Sequence, residues 1–194
     1  MPGFTGFRYN PLPDMDWKLI PEPELSAALE ADIQRMLVAA FPNYVDFFNA
    51  NSYWGSKPEY RLIAMQAGQP VAHLEFGFRR ITVEDSAFEI AGIGAVAIHP
   101  KHQGRKLGKT MFSHLRDHLQ QHTHVDFGFI GCHDEVAGFY AASGFTRVQQ
   151  SVYSLNPDSQ AWETFHGPTL IMPIHSSLEQ WNSHGVIHLH GMPW

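Results

Sequence analysis

Two periods of apolar positions divide the chain. Leu25, Leu29, Ile33, Met36, Leu37 and Ala40 recur at helical spacing between Pro23, which stands at a helix start, and Pro42. Leu107, Met111, Leu115 and Leu119 recur every four residues and predict an amphipathic helix over 105–121. Strands are predicted over 17–20, 59–66, 71–83 and 88–99, with a hairpin-type connection at Ala67-Gly68-Gln69-Pro70. An aromatic-rich segment with Tyr44, Phe47, Phe48, Tyr53 and Trp54 precedes them, with room for a short helix. Later strands are expected over 127–132, 147–153, 169–174 and 186–190, with a helical turn near 178–181. Asp134 is expected to cap a further helix that ends at Gly144, a left-handed C-cap position. Hairpin-joined strands followed by a βαβ-like half predict an α/β (α+β) protein. Its sheet should be mixed and largely antiparallel, with helices on both faces, and not a doubly wound parallel sheet.

The 194 residues suit a single domain over 17–194. Residues 1–16 are rich in Gly and Pro and read as a flexible arm, on which Phe4, Phe7 and Tyr9 offer docking or dimerising side chains. Hydrophobic content of 44% and charged content of 16% are those of a folded soluble protein. A pI near 6.1 argues against a general nucleic-acid binder. The lone Cys132 excludes an intrachain disulfide and fits a reducing cytoplasm. No apolar run approaches the roughly 20 residues of a membrane span, and no signal pattern opens the chain.

Against a net charge of −6, one segment is wholly cationic. Lys101, Arg105, Lys106 and Lys109 lie within 101–109 and no acid accompanies them. This segment follows the apolar run Ala95-Val96-Ala97-Ile98 and a proline, and it leads into the helix near Arg105. A strand thus feeds a helix N-terminus, whose free amides and positive dipole end suit a pyrophosphate or an acidic protein.

Gln103-Gly104-Arg105-Lys106-Leu107-Gly108 with Lys109 resembles the acyl-CoA loop of the Gcn5-related N-acetyltransferase (GNAT) superfamily. Ala137-Gly138-Phe139-Tyr140-Ala141-Ala142-Ser143-Gly144-Phe145 resembles that superfamily's next helix. Lys106 stands where a third glycine is usual, at a position expected to be helical. A closer resemblance runs from about 17 to 187. Trp54-Gly55-Ser56-Lys57-Pro58-Glu59-Tyr60-Arg61, Val71-Ala72-His73 with Arg79-Arg80-Ile81, and Ile174-His175-Ser176-Ser177-Leu178-Glu179-Gln180-Trp181 are similar to the nodulation acyltransferases of the NodA type. Gly92 departs from what looks like an acidic position of that family. The resemblance implies a GNAT-like fold and transfer of a fatty acyl group from acyl carrier protein to the amine of a deacetylated chito-oligosaccharide.

The residues supply the parts of such a reaction. Val96 and Ile98 lie on a strand whose amides suit a pantetheine or an oxyanion, with close packing as the competing reading. Tyr140 matches the tyrosine that GNAT enzymes place near the leaving thiolate, and a phenol is protonated at neutral pH. His73, Glu75 and Arg79 share one strand face, about 6–7 Å apart in steps of two residues, which suggests a wet cleft with His73 or Glu75 as base. Glu59 and Arg61 alternate onto one face of the neighbouring strand, as a buried ion pair or as sugar ligands. Trp54 is the aromatic expected to touch substrate. Cys132 offers an acyl-cysteine route but reads better as a small core hydrophobe.

Thirteen histidines raise a metal reading, but His184, His188 and His190 lack a nearby Cys or acid, and no metal is expected. The expected co-substrate is acetyl-CoA, a longer acyl-CoA, or the phosphopantetheine of acyl carrier protein, and the expected acceptor is an amine, on an amino sugar or oligosaccharide. The alternatives are an acetyl-CoA-dependent enzyme acting on a metabolite or peptide amine, a non-catalytic thioester sensor, and an interaction module that forms a homodimer through the arm.

Overall fold

The structure is a computed structural model that describes residues 15–194. The arm expected over 1–16 lies outside the described residues except at its end, where Asp16 already begins a strand and Met15 packs on the core. The first half contains β1 (Asp16–Pro21), α1 (Ala27–Ala40), α2 (Val45–Ala50), β2 (Tyr60–Gln66), β3 (Gln69–Val83) and β4 (Ser86–Ile98). The second half adds α3 (Leu107–His122), β5 (Phe127–Gly131), α4 (Asp134–Ala141), β6 (Thr146–Val148), β7 (Val152–Leu155), β8 (Trp162–Phe165), β9 (Thr169–Pro173) and β10 (Ile187–His188). The strands form one sheet in the order β6-β9-β5-β4-β3-β10-β7-β8, with β2 on β3 and β1 on β2. Among the described residues, only β4–β5 and β10–β7 pair in parallel.

Several boundaries differ from the sequence expectation for local reasons. α1 starts at Ala27 because the Ser26 hydroxyl accepts the Leu29 amide at 3.3 Å, while Pro23 sits in a separate 3-10 turn. Asp134 is the first residue of α4 and not its cap. The strand expected over 147–153 is two strands, β6 and β7, and β8 was not anticipated. All four residues of β8 are exposed, so it carries no buried alternation to read.

Helices cover both faces. Leu62, Ala64, Leu74, Phe76, Ala91 and Ile93 pack on one face with Met111, Phe112, Leu115 and Tyr140 of α3 and α4. Ile63, Met65, Ala95 and Ala97 pack on the other with Ile33, Leu37 and Phe48 of α1 and α2. In β4 the two sets have the same parity: Ala91 and Ile93 face α3 and α4, yet Ala95 and Ala97 face α1 and α2. A bulge explains it. His73 pairs with Ala97 and Glu75 with Gly94, so β4 carries one extra residue there, and Ala95 sits at φ 41. One inserted residue flips every side chain beyond it to the other face.

Candidate active site

The bulge coincides with a parting of strands. β4 pairs with β5 only over Ile90–Gly92 and Phe127–Phe129. Beyond Gly92 the two diverge, and the edge of β4 over 93–98 is left without a strand partner among the described residues. A cavity of about 740 Å³ opens there, lined by the 93–98 and 129–133 stretches, by Tyr140 and Phe139 of α4, and by Trp54. Its volume falls in the range of small-molecule sites. Val96 and Ile98 are half-buried along this edge.

At one end of the cavity lie Gln103 and Gly104 of the cationic loop. Gly104 and Lys106 both have positive φ, 74° and 62°. The expectation of helical dihedrals at Lys106 is therefore wrong. Lys106 is the left-handed N-cap residue, and α3 starts one residue later, at Leu107. A glycine would sit there without the steric penalty a side chain meets. The turn aims the first amides of α3, at Leu107, Gly108 and Lys109, away from any intrahelical acceptor. Arg105, Lys106 and Lys109 are exposed around it. Leu107 itself is a core side chain, and a Cβ on Gly108 would overlap the Phe139 ring. Gly108 serves the packing of α3 on α4.

Tyr140 lines the cavity, 7% exposed, and burial raises its pKa further above the usual phenol value. It is a proton donor throughout the neutral range. Cys132 lines the same wall, and burial raises its thiol to about 11. A protonated thiol is a weak nucleophile, which counts against an acyl-cysteine.

The polar face of β3 is dry, contrary to the wet cleft expected from sequence. Arg61, His73 and Glu75 are all completely buried. Arg61 donates to Glu75 Oε2 at 2.8 Å, to both oxygens of Glu22 at 2.7 and 3.2 Å, and to the Ser52 carbonyl and hydroxyl at 2.7 and 3.1 Å. Its partners are thus Glu22 and Glu75. Glu59 instead accepts the Phe78 amide at 2.8 Å. His73 Nδ1 lies 2.9 Å from the carbonyl oxygen of Ala95, which can only accept, so Nδ1 carries the proton. Nε2 then faces the Arg61 guanidinium at 3.5 Å. Burial first, and Arg61 second, lower the His73 pKa to about 3. His73 thus pins the bulge as a neutral ring. Burial raises Glu75 to about 8; Arg61 pulls it down and Glu22 pushes it up. One guanidinium shared by two carboxylates leaves one of them able to hold a proton near neutrality. Glu75 Oε1 is buried with no hydrogen-bond partner.

Trp54 stacks on Phe47 at 4.5 Å and meets Tyr44 and Phe48 edge-on at 4.9 Å, forming an aromatic wall of the cavity. Arg79 does not open to the cleft. Its guanidinium binds the carbonyls of Met192 and Leu189 at 2.7 and 3.3 Å. Sequence reasoning missed Glu22, Ser52 and the 191–194 segment. The available signal was a Gly-Met-Pro-Trp run beyond the last strand and three glycines, Gly77, Gly92 and Gly94, on adjacent strands.

A family model for nodulation protein A (NodA) matches residues 13–192. The chain belongs to the NodA family. No curated protein matches it significantly. Solved structures place this chain in the GNAT fold. The Escherichia coli GNAT family N-acetyltransferase YhbS, solved in complex with CoA, superposes with a TM-score of 0.58 at 14% identity, covering 92% of each chain. Tetrahymena GCN5 gives 0.57 at 12% identity, over 87% of this chain and 99% of its own. Escherichia coli ElaA gives 0.54 at 16%, over 81% and 97%. Family and fold together make the protein an N-acyltransferase. Among the described residues, no three His, Cys, Asp or Glu side chains converge as metal ligands, and no helix is long and apolar enough to cross a membrane.

Proposed function

We propose that the protein transfers an acyl group from a thioester, of CoA or of a phosphopantetheine carrier protein, to the primary amine of an amino sugar. One observation carries the reading. The unpaired edge of β4 at the Ala95 bulge lies in a cavity bordered by a cationic helix-start turn and by Tyr140, with the fully buried Glu75 paired across the sheet with Gly94 of that edge. The amides of Gly104 to Lys109 and the cations Lys101, Arg105, Lys106 and Lys109 suit the phosphates of either donor. The free edge over 93–98 suits a pantetheine's amides and, at the bulge, a thioester oxygen.

In this reading the amine nitrogen attacks the thioester carbonyl. The C–N bond forms, and amides near Val96 hold the oxyanion. Glu75, poised near pH 8, takes the proton lost by the nitrogen. The C–S bond then breaks, and Tyr140 donates the proton to the departing thiolate. His73 holds Ala95 and so positions the bulge. The cavity continues past the bulge to Phe129, Val152, Phe165 and Leu189, an apolar wall that favours an acyl chain longer than acetyl. Trp54 forms part of the wall that meets substrate.

Thiol release is measured with acetyl-CoA, palmitoyl-CoA and a palmitoyl carrier protein, each with a fully deacetylated chitotetraose as acceptor. Turnover is expected with a long-chain donor, rising with pH towards 8 as Glu75 loses its proton. If no thioester raises the melting temperature or releases thiol, the reading fails.

A further inference from the structure

Gly77 and Gly92 face each other across β3 and β4, and Gly94 faces Glu75. Together they make a bare backbone floor on which the Trp194 side chain lies. A Cβ on Gly92 would overlap the indole, and one on Gly77 would stand 3.1 Å from its Nε1. The residues before it are tied down polar group by polar group. The Ser56 amide and hydroxyl donate to the carbonyls of Pro193 and Met192 at 2.7 and 2.8 Å, and the Leu155 amide donates to Gly191 at 3.0 Å. Arg79 donates to Met192, and its guanidinium stacks 4.2 Å from the indole centroid. A Cβ on Gly55 would stand 2.5 Å from the Pro193 oxygen, so the loop is shaped around this segment.

The groove therefore offers a flat floor and donors for oxygen atoms, Arg79 and Ser56. It also offers a carboxylate. The position of a Gly94 Cβ is 2.8 Å from Glu75 Oε1, the buried oxygen without a partner, and 2.6 Å from the Trp194 carbonyl carbon. We propose that this groove is the acceptor subsite, that it takes a ring-shaped amine bearing hydroxyl oxygens, and that the 191–194 segment is its intramolecular occupant. The ring of the acceptor replaces the indole on the glycine floor, its hydroxyls take over Arg79 and Ser56, and its nitrogen reaches Glu75. The strap closes the site when no acceptor is present. This inference rests on the acyl-transfer reading above for the role of Glu75, but its test does not require turnover.

The test is calorimetric titration of a fully deacetylated chitotetraose into the full chain, without donor, for the wild type, Trp194→Ala and Trp194→Phe. Trp194→Ala is expected to bind at least tenfold tighter than the wild type, with Trp194→Phe between them. Equal or weaker binding by Trp194→Ala, or no binding by any form, overturns the proposal. Should Trp194→Ala fail to fold, amide hydrogen exchange of the wild type decides: saturating chitotetraose should accelerate exchange at Ser56 and Leu155, and unchanged or slower exchange overturns it. Failure of the acyl-transfer reading shows separately, as absence of thiol release from every thioester while the binding order among the three forms stands.

Discussion

Replacing Glu75 by Gln should change how stability depends on pH, and the structure sets the size of the change. Glu75 is fully buried and holds its proton up to about pH 8, whereas in the unfolded chain it ionises near the ordinary carboxylate value of 4.5. Between those values the native state binds a proton that the unfolded state does not. Stability must then fall as pH rises, by about 1.4 kcal/mol per unit at full slope. Integrated from pH 6.5 to 8, where the native group begins to titrate, the loss from Glu75 is about 1.6 kcal/mol. His73 acts with the opposite sign. Its native pKa of about 3 lies below the ordinary 6.5, so the unfolded state gains the proton first and acidification destabilises. The two slopes oppose each other between pH 4.5 and 6.5, and above 6.5 Glu75 dominates. Gln keeps an acceptor for Arg61 but cannot titrate. Urea unfolding at half-unit steps from pH 6.5 to 8 should show the difference between wild type and Glu75→Gln changing by about 1.6 kcal/mol, with the wild type losing ground. Parallel pH profiles, within a few tenths of a kcal/mol, would refute the assignment of a proton to Glu75 in the native state.

Tyr140→Phe removes the hydroxyl from the cavity wall and keeps the ring; turnover should drop by about two orders of magnitude with thioester binding unchanged, read by steady-state thiol release and by thermal shift with the same donor. Arg61→Met leaves Glu22 and Glu75 without their shared cation; unfolding free energy should fall by about 3–5 kcal/mol, measured by urea titration at pH 7.5. Lys106→Gly relieves a left-handed backbone at φ 62 and should stabilise the fold by about 1 kcal/mol, seen as a higher urea midpoint at constant m-value.

The periodic patterns made most of the architecture legible. Apolar residues at every fourth position, Leu107, Met111, Leu115 and Leu119, located α3, and the Ala67–Pro70 hairpin fixed the pairing of β2 with β3. The cationic loop was recognisable because its charges oppose those of the rest of the chain, and Tyr140 because its flanking residues form a familiar run. These are local properties: a helix face and a charge cluster are written in consecutive residues, and the physics that reads them acts over one or two turns.

Other features follow from contacts between distant segments. That β3 carries His73 and Glu75 on one face was readable from alternation; that this face is dry was not, because Glu22, Ser52 and the α1 and α2 layer arrive from elsewhere in the chain to enclose it. Arg61 chose Glu22 and Glu75 over Glu59 for the same reason. The Ala95 bulge, the parting of β4 from β5 and the seating of Trp194 on Gly77 and Gly92 each depend on register between strands, which no single segment encodes. The sequence by itself thus determined most of the elements, the family and the cationic turn. Tertiary structure alone decided the protonation of His73 and Glu75 and the occupancy of the groove beside them, since desolvation and pairing are properties of the assembled interior.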